Sequence, residues 1–515
     1  MNILKTLYPH QKDAVASTSR RSKGIICMPT GTGKTYCQAT MIANDILKNR
    51  NQYKLYVVNA PRIVLTYQLL KEVYGFLTKA GIEARYMFVH SGGMADQKDL
   101  EEMRMEANEM GYDIPFSEIE SGTSILGIKE MIKKARRQKL PLVIFSTYNS
   151  AKNIEIANKN FADPISITMN DEAHYLVQEQ FHDILNTLTT KRCFFFTATK
   201  IHTSSDKGFG MNHENLYGKQ LYLMTPRQAI DLGLMVRPRV HIVTTKGIYD
   251  SKDYDKSLNK IIKDSYNQHQ KFIGKMNAKI LISTKGTQDI LGFVGGNQIR
   301  SSSEYNTLRA EGVDIYAVSS NPDVGNQING ETYSRAMFLK KLRQDGADNS
   351  KKLIVLHYDI LAEGIDVSGF TGIMPLRTLR KAKFLQTYGR SARLDPQDRI
   401  KIRSGEIKPD DLHLMNKPYS YIIIPNIVHT NEDDKENFGQ LIRELRAYDF
   451  NPSEDIVTDS YINAPPKDNE VDGVNEPERH TRKEGRFIRE LIAIFEAEDD
   501  AKLTKLELVL KELQK

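Results

Sequence analysis

The chain has 515 residues, of which 40% are hydrophobic and 27% charged, with a formal net charge of +7. A single hydrophobic core stops growing near ~250–300 residues, so two or three domains are expected, and the balance of apolar to charged residues excludes a largely disordered chain. Cys27, Cys37 and Cys193 are scattered without a C-x-x-C pair, which argues against a disulfide framework or a zinc site and for a reducing, cytoplasmic setting. The first residues, MNILKTLYPHQ, lack the apolar stretch of a leader, and no window approaches the ~18 uninterrupted apolar residues of a membrane span. The positive charge suits a solvated basic surface as well as it suits a phosphate-backbone partner.

Taken along the chain, GIICM (24–28) reads as a short buried strand that leads into PTGTGKT and then a helical pattern, TYCQATMIANDILKN. Further strands are expected at KLYVVNA (54–60), ARYMFVH (84–90), LPLVIFSTY (140–148), ISITMNDEAH (165–174) and KRCFFFTAT (191–199), with a helix from about Ile63 to Lys79. Apolar runs alternating with helical patterns predict a parallel sheet covered on both faces. Residues 94–139 interrupt this rhythm with a Met-, Glu- and Lys-rich segment of helical spacing. It is a functional insertion or a pair of solvated helices, the latter being the expectation for its first half. The KKARRQK that ends it either lies near a polyanion or completes a helix C-terminus.

A second alternating series contains PRVHIVTT (238–245), AKILISTKG (278–286), VDIYAVSSN (313–321), KKLIVLHYD (351–359), TGIMPLR (371–377) and YSYIIIPN (419–426), with a helical pattern from Tyr333 to Arg343. Two α/β domains are therefore predicted, over 1–220 and 221–430, joined by a Ser-, Gly- and Asn-rich connector at 201–219. A mostly helical C-terminal segment, 431–515, is broken by the polar, proline-bearing stretch 463–483, which reads as a flexible linker. The tail that follows is amphipathic and is left open between packing, docking a partner and gripping a ligand.

Chemistry enters at MPTGTGKT. Glycines allow backbone N–H groups to approach phosphate oxygens, so Pro29, Thr30, Gly31, Thr32 and Gly33 would line a nucleotide, Lys34 would reach its terminal phosphates, and the Thr35 hydroxyl would ligate Mg2+. In MNDEAH, Asp171 is placed to hold the same Mg2+ through water and Glu172 to polarise the water that attacks the γ-phosphate of ATP. An ordinary solvated acidic pair is the alternative, weakened by Lys34 and Thr35 upstream in the same expected sheet. QTYGRSAR (386–393) puts Arg390 and Arg393 three apart on one face of a predicted helix, with Gln386 one turn earlier. Such arginines are commonly surface charges; following an α/β domain without a phosphate loop of its own, they read as arginine fingers for ATP hydrolysis.

The ordered set resembles the superfamily 2 helicases and translocases of the DEAH-box type, over roughly residues 7 to 426. YPHQ with Gln11 resembles the adenine-reading Q motif, MPTGTGKT motif I, NAPRIVLTYQ motif Ia, FSTYNSA motif Ic, DEAH motif II and TAT motif III. AKILISTKG resembles motif IV, ILAEGIDV motif V and QTYGRSAR motif VI. The resemblance implies two tandem RecA-like domains of the P-loop NTPase class that enclose ATP between them. Lys34, Thr35, Asp171 and Glu172 would act from the first, and Gly364, Asp366, Gln386, Arg390 and Arg393 from the second. It implies DNA contacts through Pro61, Arg62, Thr147 and Thr284, and coupling of hydrolysis to those contacts through His174, Thr197 and Thr199. Lys200 after motif III, where relatives often carry Pro, and a motif V without its usual Thr are departures from the pattern.

Residues 216–240, LYGKQLYLMTPRQAIDLGLMVRPRV, resemble the bridge between domains in the DNA-directed branch. The expectation is a monomeric helicase of the UvsW type acting on branched DNA in replication, recombination or repair, alongside proteins of those processes. The alternatives are the motor subunit of a restriction-type DNA translocase, an RNA helicase, and a DNA clamp that binds ATP without hydrolysing it. The nearest nuclease-like pair, Pro409-Asp410, stands in a charged stretch with no strand around it.

Overall fold

Apolar runs separated by helices assemble as their periodicity requires. The computed structural model describes residues 7–90, 119–122, 124–161, 163–203, 209–244, 254–274, 276–296, 299–319, 321–358, 369–377, 381–426 and 455–458, with Leu445, Tyr448 and Phe450. The chain divides into two units, Met1–Thr225 with Ser334–Met337, and Pro226–Tyr333 with Phe338–Lys515.

In the first unit the strands are β1 (Lys23–Cys27), β2 (Leu55–Ala60), β3 (Arg85–Val89), β4 (Ile119–Ser121), β5 (Leu142–Thr147), β6 (Ile167–Asn170), β7 (Cys193–Thr197) and β8 (Gln220–Leu223). Among the described residues they form one eight-stranded sheet in the order β4-β3-β5-β2-β6-β7-β1-β8. Every pairing is parallel. Every residue of β2, β5 and β6 is buried, as expected of parallel strands covered on two sides. One face packs Val57, Ile144 and Ile132; the other packs Ile25, Phe195 and Tyr148. Because all strands run the same way, their carboxyl ends share one edge, where crevices in such sheets receive ligands.

Three helices frame that edge: α1 (Pro9–Ser17), α2 (Lys34–Lys48) and α3 (Ile63–Lys79). The segment 94–139 resolves differently from its expected helical character. Ile119–Ser121 pairs in register with Tyr86–Phe88 as an edge strand, while the second half is the helix Ile125–Gln138, closed by Lys139 in the left-handed region at φ 55°. The basic KKARRQK run is thus a helix C-terminus. Residues 94–118 lie outside the described part.

The second unit holds β9 (Arg237–Thr244), β10 (Lys279–Ser283), β11 (Val313–Val318), β12 (Asn326–Ile328), β13 (Glu331–Thr332), β14 (Lys352–His357), β15 (Gly372–Pro375), β16 (Tyr419–Asn426) and β17 (Ile456–Thr458). Their order is β13-β12-β11-β14-β10-β15-β16-β9-β17. The pairings are parallel except for the β11-β12-β13 meander. Ile280, Phe293, Leu308, Ile354 and Ile423 lie in its core. Both units are RecA-like α/β domains.

The boundary expected at residue 220 cuts through β8, whose pairing to β1 keeps it in the first unit. The segment from 431 was expected to be helical, yet Ile456 pairs with Val240 and makes 456–458 a strand of the second sheet. A three-residue strand is too short to show a period. The linker at 463–483 and the tail lie outside the described residues. No described helix is long and apolar enough to cross a membrane.

Candidate nucleotide site

The loop between β1 and α2 turns through two glycines in the left-handed region, Gly31 at φ 84° and Gly33 at φ 89°. A side chain at Gly33 is excluded twice, by that backbone and by Gln11 Nε2, which a Cβ atom would meet at 2.1 Å. Lys34, the first residue of α2, is buried and folds its ammonium back over the loop, donating to the Met28 and Pro29 carbonyls at 3.3 and 3.4 Å. The Thr32 hydroxyl donates to Pro29 O at 2.7 Å, closing the turn. The loop is thereby held as a concave run of backbone at the N-terminus of a 15-residue helix, the setting in which N–H groups and helix dipole attract phosphate.

Gln11 supports this loop from α1. Its Nε2 donates to Thr32 O at 3.2 Å while its Oε1 accepts from Tyr8 N at 3.1 Å. The adjacent His10 ring also reaches Thr32 O, at 2.9 Å, a contact that sequence reasoning did not find.

The acidic pair follows β6 at the same sheet edge. Asp171 N donates to Asn59 O at the end of β2, and Tyr148 Oη donates to Asp171 O at 2.6 Å. Asp171 Oδ1 accepts from Gln38 Nε2 at 2.8 Å, a bond from the second turn of α2. Burial, then the neighbouring Glu172, push the Asp171 carboxyl above the usual carboxylate range against the opposing pull of Lys34 and Gln38. Glu172 adopts a left-handed backbone at φ 48°, uncommon for a residue with a Cβ and typical of functional turns. Its Oε2 is buried with no hydrogen-bond partner; His174 Nδ1 is 3.4 Å away. His174 Nδ1 lies 3.1 Å from Thr197 Oγ1, which donates to Thr199 O at 2.9 Å and accepts from Thr199 N at 3.0 Å. His174, Thr197 and Thr199 are therefore joined by hydrogen bonds up to the turn after β7, with the acid pair one 3.4 Å approach away.

These features fit a nucleotide with Mg2+. A buried Asp171 carboxyl pushed toward protonation, beside a Glu172 oxygen without a hydrogen-bond partner, gains from a cation. No group of three or more His, Cys, Asp or Glu that could hold a metal ion occurs among the described residues. The Asp171 carboxylate and Thr35 hydroxyl would accordingly share Mg2+ with phosphate oxygens and water, the habit of that ion.

Of the expected DNA contacts, Pro61 and Arg62 follow β2 and Thr147 ends β5, and Ala60 pairs with Thr147 in register, so the three share one end of adjacent strands. Arg62 is exposed; Pro61 and Thr147 are buried, and Thr147 Oγ1 donates to Ser150 Oγ at 3.1 Å. Thr284 is fully buried with its hydroxyl directed at Gly286 O and His357 O, so it shapes its own turn. Arg390 lies on the helix Lys381–Ser391, as does Gln386, whose side chain is outside the described part. Arg393 was expected on the same helical face; it stands past the helix end, in a bridge with Met235. Gly364 and Asp366 lie outside the described residues.

Residues 4–202 match the family model described as type III restriction enzyme, res subunit. No curated protein matches the chain at a significant level. Two solved structures are similar in fold. The ATP-dependent type ISP restriction-modification enzyme LlaBIII bound to DNA aligns with a TM-score of 0.61 at 18% identity, covering 86% of this chain and 30% of that one. A nuclease-deletion mutant of the type ISP enzyme LlaGI in complex with a DNA substrate mimic aligns at 0.54 and 18%, covering 86% and 29%. The chain thus spans about 30% of the length of these enzymes. The stretch matched by the family model, residues 4–202, contains both the phosphate loop and the acid pair.

Proposed function

We propose that the chain is an ATP-driven DNA translocase of the restriction-motor type. The observation that carries the motor reading is the run of contacts from Gln38 and Asp171, past Glu172 and His174 at 3.4 Å, to Thr197 and Thr199, which leads away from the nucleotide site along the carboxyl edge of the sheet. The restriction-enzyme descriptions of the family model and of the similar folds support duplex DNA as the track over the branched DNA expected from residues 216–240. That phrase keeps a fork- or junction-directed helicase as the second reading.

In this proposal Lys34 leaves the Met28 and Pro29 carbonyls for the β- and γ-phosphates of ATP. Asp171 and Thr35 would hold Mg2+, which would supply positive charge against the phosphates. Glu172 takes the proton of the attacking water, its strained backbone fixing the direction of attack. His174, beside Glu172, registers that proton and passes the change to Thr197. Arg390 and Arg393 supply positive charge to the transition state, and Gln386, Gly364 and Asp366 complete nucleotide binding. Pro61, Arg62, Thr147 and Thr284 are the proposed elements of the DNA track.

The test is ATP hydrolysis by the purified chain with long linear duplex, single-stranded DNA, a fork, a four-way junction and matched RNA, combined with displacement of a triplex strand placed downstream on the duplex. Stimulation that grows with duplex length, with triplex displacement, is expected. Stimulation confined to forks and junctions would establish the second reading instead, and stimulation by RNA alone would overturn both.

A further inference from the structure

Helices end with carbonyls that lack intrahelical partners. The helix Lys381–Ser391, which carries Arg390, ends in the turn that carries Arg393. Three successive carbonyls of that turn are satisfied from outside the helix. Lys417 Nζ donates to Ser391 O and, at 2.7 Å, to Arg393 O. Between them Ala392 O accepts from Val236 N at 2.8 Å. The Ser391 hydroxyl is fixed in turn by Ser420 Oγ at 2.7 Å.

Lys417 is itself held rather than loose. Its backbone N–H donates to Asp398 Oδ2 at 2.9 Å, and Asp398 is fully buried. Its ammonium is buried, and no carboxylate among the described residues stands within ion-pair distance of it. Burial pushes that ammonium down to about 7, with Asp395 pulling the other way. A lysine in such a place is costly to keep, and an apolar residue of similar length would fill the space. What an apolar residue cannot do is grip two carbonyls of one turn.

We infer that Lys417 is a positioning residue for ATP hydrolysis: by holding the carbonyls of Ser391 and Arg393 it fixes the turn from which Arg390 and Arg393 act. The inference rests on the proposed catalytic role of those arginines. It goes beyond the recognisable motifs, since Lys417 lies 24 residues past Arg393 in a stretch that none of them includes. Misplacing a charge-stabilising group by about 1 Å costs up to ~10²-fold in turnover, so loss of the grip should be read in kcat and not in nucleotide affinity.

The experiment is a double-variant cycle on the full chain. DNA-stimulated kcat and KM for ATP are measured for wild type, Lys417→Met, Arg390→Ala and the pair, with thermal melting of each. The expected result is a kcat loss of tenfold to about 10²-fold in Lys417→Met with KM within twofold, and a loss in the pair clearly smaller than the product of the two single losses, the remainder being the share of Arg393. Additive losses, or a change in KM alone, would overturn the role of Lys417 while leaving the arginine standing. An undiminished kcat in Arg390→Ala would remove both the arginine reading and this inference. If Lys417→Met does not fold, Lys417→Gln, which keeps a donor, takes its place in the cycle; failure of both to fold assigns Lys417 to stability and also overturns the inference.

Discussion

Gln38 Nε2 donates to Asp171 Oδ1 at 2.8 Å, joining the helix of the phosphate loop to the acid pair across 133 residues of sequence. The bond is buried and works against the desolvation that drives the carboxyl toward its neutral form. It also leaves Asp171 Oδ2 as the oxygen turned away from Gln38. Removing the amide therefore deprives a prospective cation ligand of its orienting partner. Partners of this type contribute 10–100-fold to metal affinity or activity. Gln38→Leu is expected to raise the Mg2+ concentration giving half-maximal ATP hydrolysis by about tenfold or more. An unchanged Mg2+ titration would show that Gln38 only packs.

The sign of the Asp171 shift yields a second expectation. Its carboxyl binds a proton more tightly folded than unfolded, so between the ordinary carboxylate range and the raised value the folded state holds more protons and stability falls as pH rises. Asp171→Asn removes that loss. Without nucleotide the variant should melt higher than wild type at pH 8, with a smaller difference at pH 5, while hydrolysing no ATP at either. A variant that melts lower than wild type at pH 8 would contradict the assigned burial cost.

How this site relates to the sequence depends on which interactions are local. Gly31, Gly33, Lys34 and Thr35 are legible because a phosphate loop is written in consecutive residues, and the strands that place them are apolar runs of four to eight residues. Asp171 and Glu172 are legible for the same reason. Gln38 is not marked by any motif, although its place one turn after Lys34 puts both on one side of α2, a hint that spacing alone carries. His10 is hidden because its partner is a backbone carbonyl. The short strands β4, β12, β13 and β17 have two or three residues each and show no period. Arg393 was read onto the helix because sequence spacing cannot tell the last turn of a helix from the turn that follows it.

Lys34 donates to two carbonyls of its own loop, so its ammonium is already arrayed over the place where phosphate would sit. Lys34→Ala should reduce DNA-stimulated hydrolysis to background while the chain still melts cooperatively and still binds duplex DNA. Retained hydrolysis would refute the assignment of this loop as the catalytic nucleotide site.

His174 is buried between Glu172 and Thr197, touching both. His174→Ala cuts the path between the acid pair and the turn after β7 without removing a phosphate-binding group. Basal hydrolysis without DNA is expected to survive, and the stimulation by DNA to fall by about tenfold, within the range that a lost buried hydrogen bond provides. Equal loss of basal and stimulated rates would make His174 part of the chemistry and not of the coupling.

A final prediction concerns the second unit alone. His241 Nδ1 and His269 Nδ1 meet at 2.9 Å, both fully buried, and His269 lies beside Phe272 and Tyr421. One ring must donate and the other accept, so the contact requires at least one neutral imidazole. Burial, then His241, hold His269 well below its ordinary value of 6.5. The unfolded chain therefore takes up a proton at this residue as pH falls through 6.5 while the folded chain does not, and the stability it contributes is complete above that value and lost below it. The slope approaches about 1.4 kcal/mol per pH unit for one such site. Melting should shift downward between pH 7.5 and 5 through this site. His269→Phe keeps an aromatic ring and removes the proton, so the variant's melting temperature should change less over the same range, even if it starts lower because His241 has lost its partner. A variant with the same pH dependence as wild type would mean that water reaches the pair, and that the imidazoles titrate in the folded state much as they do in the unfolded one.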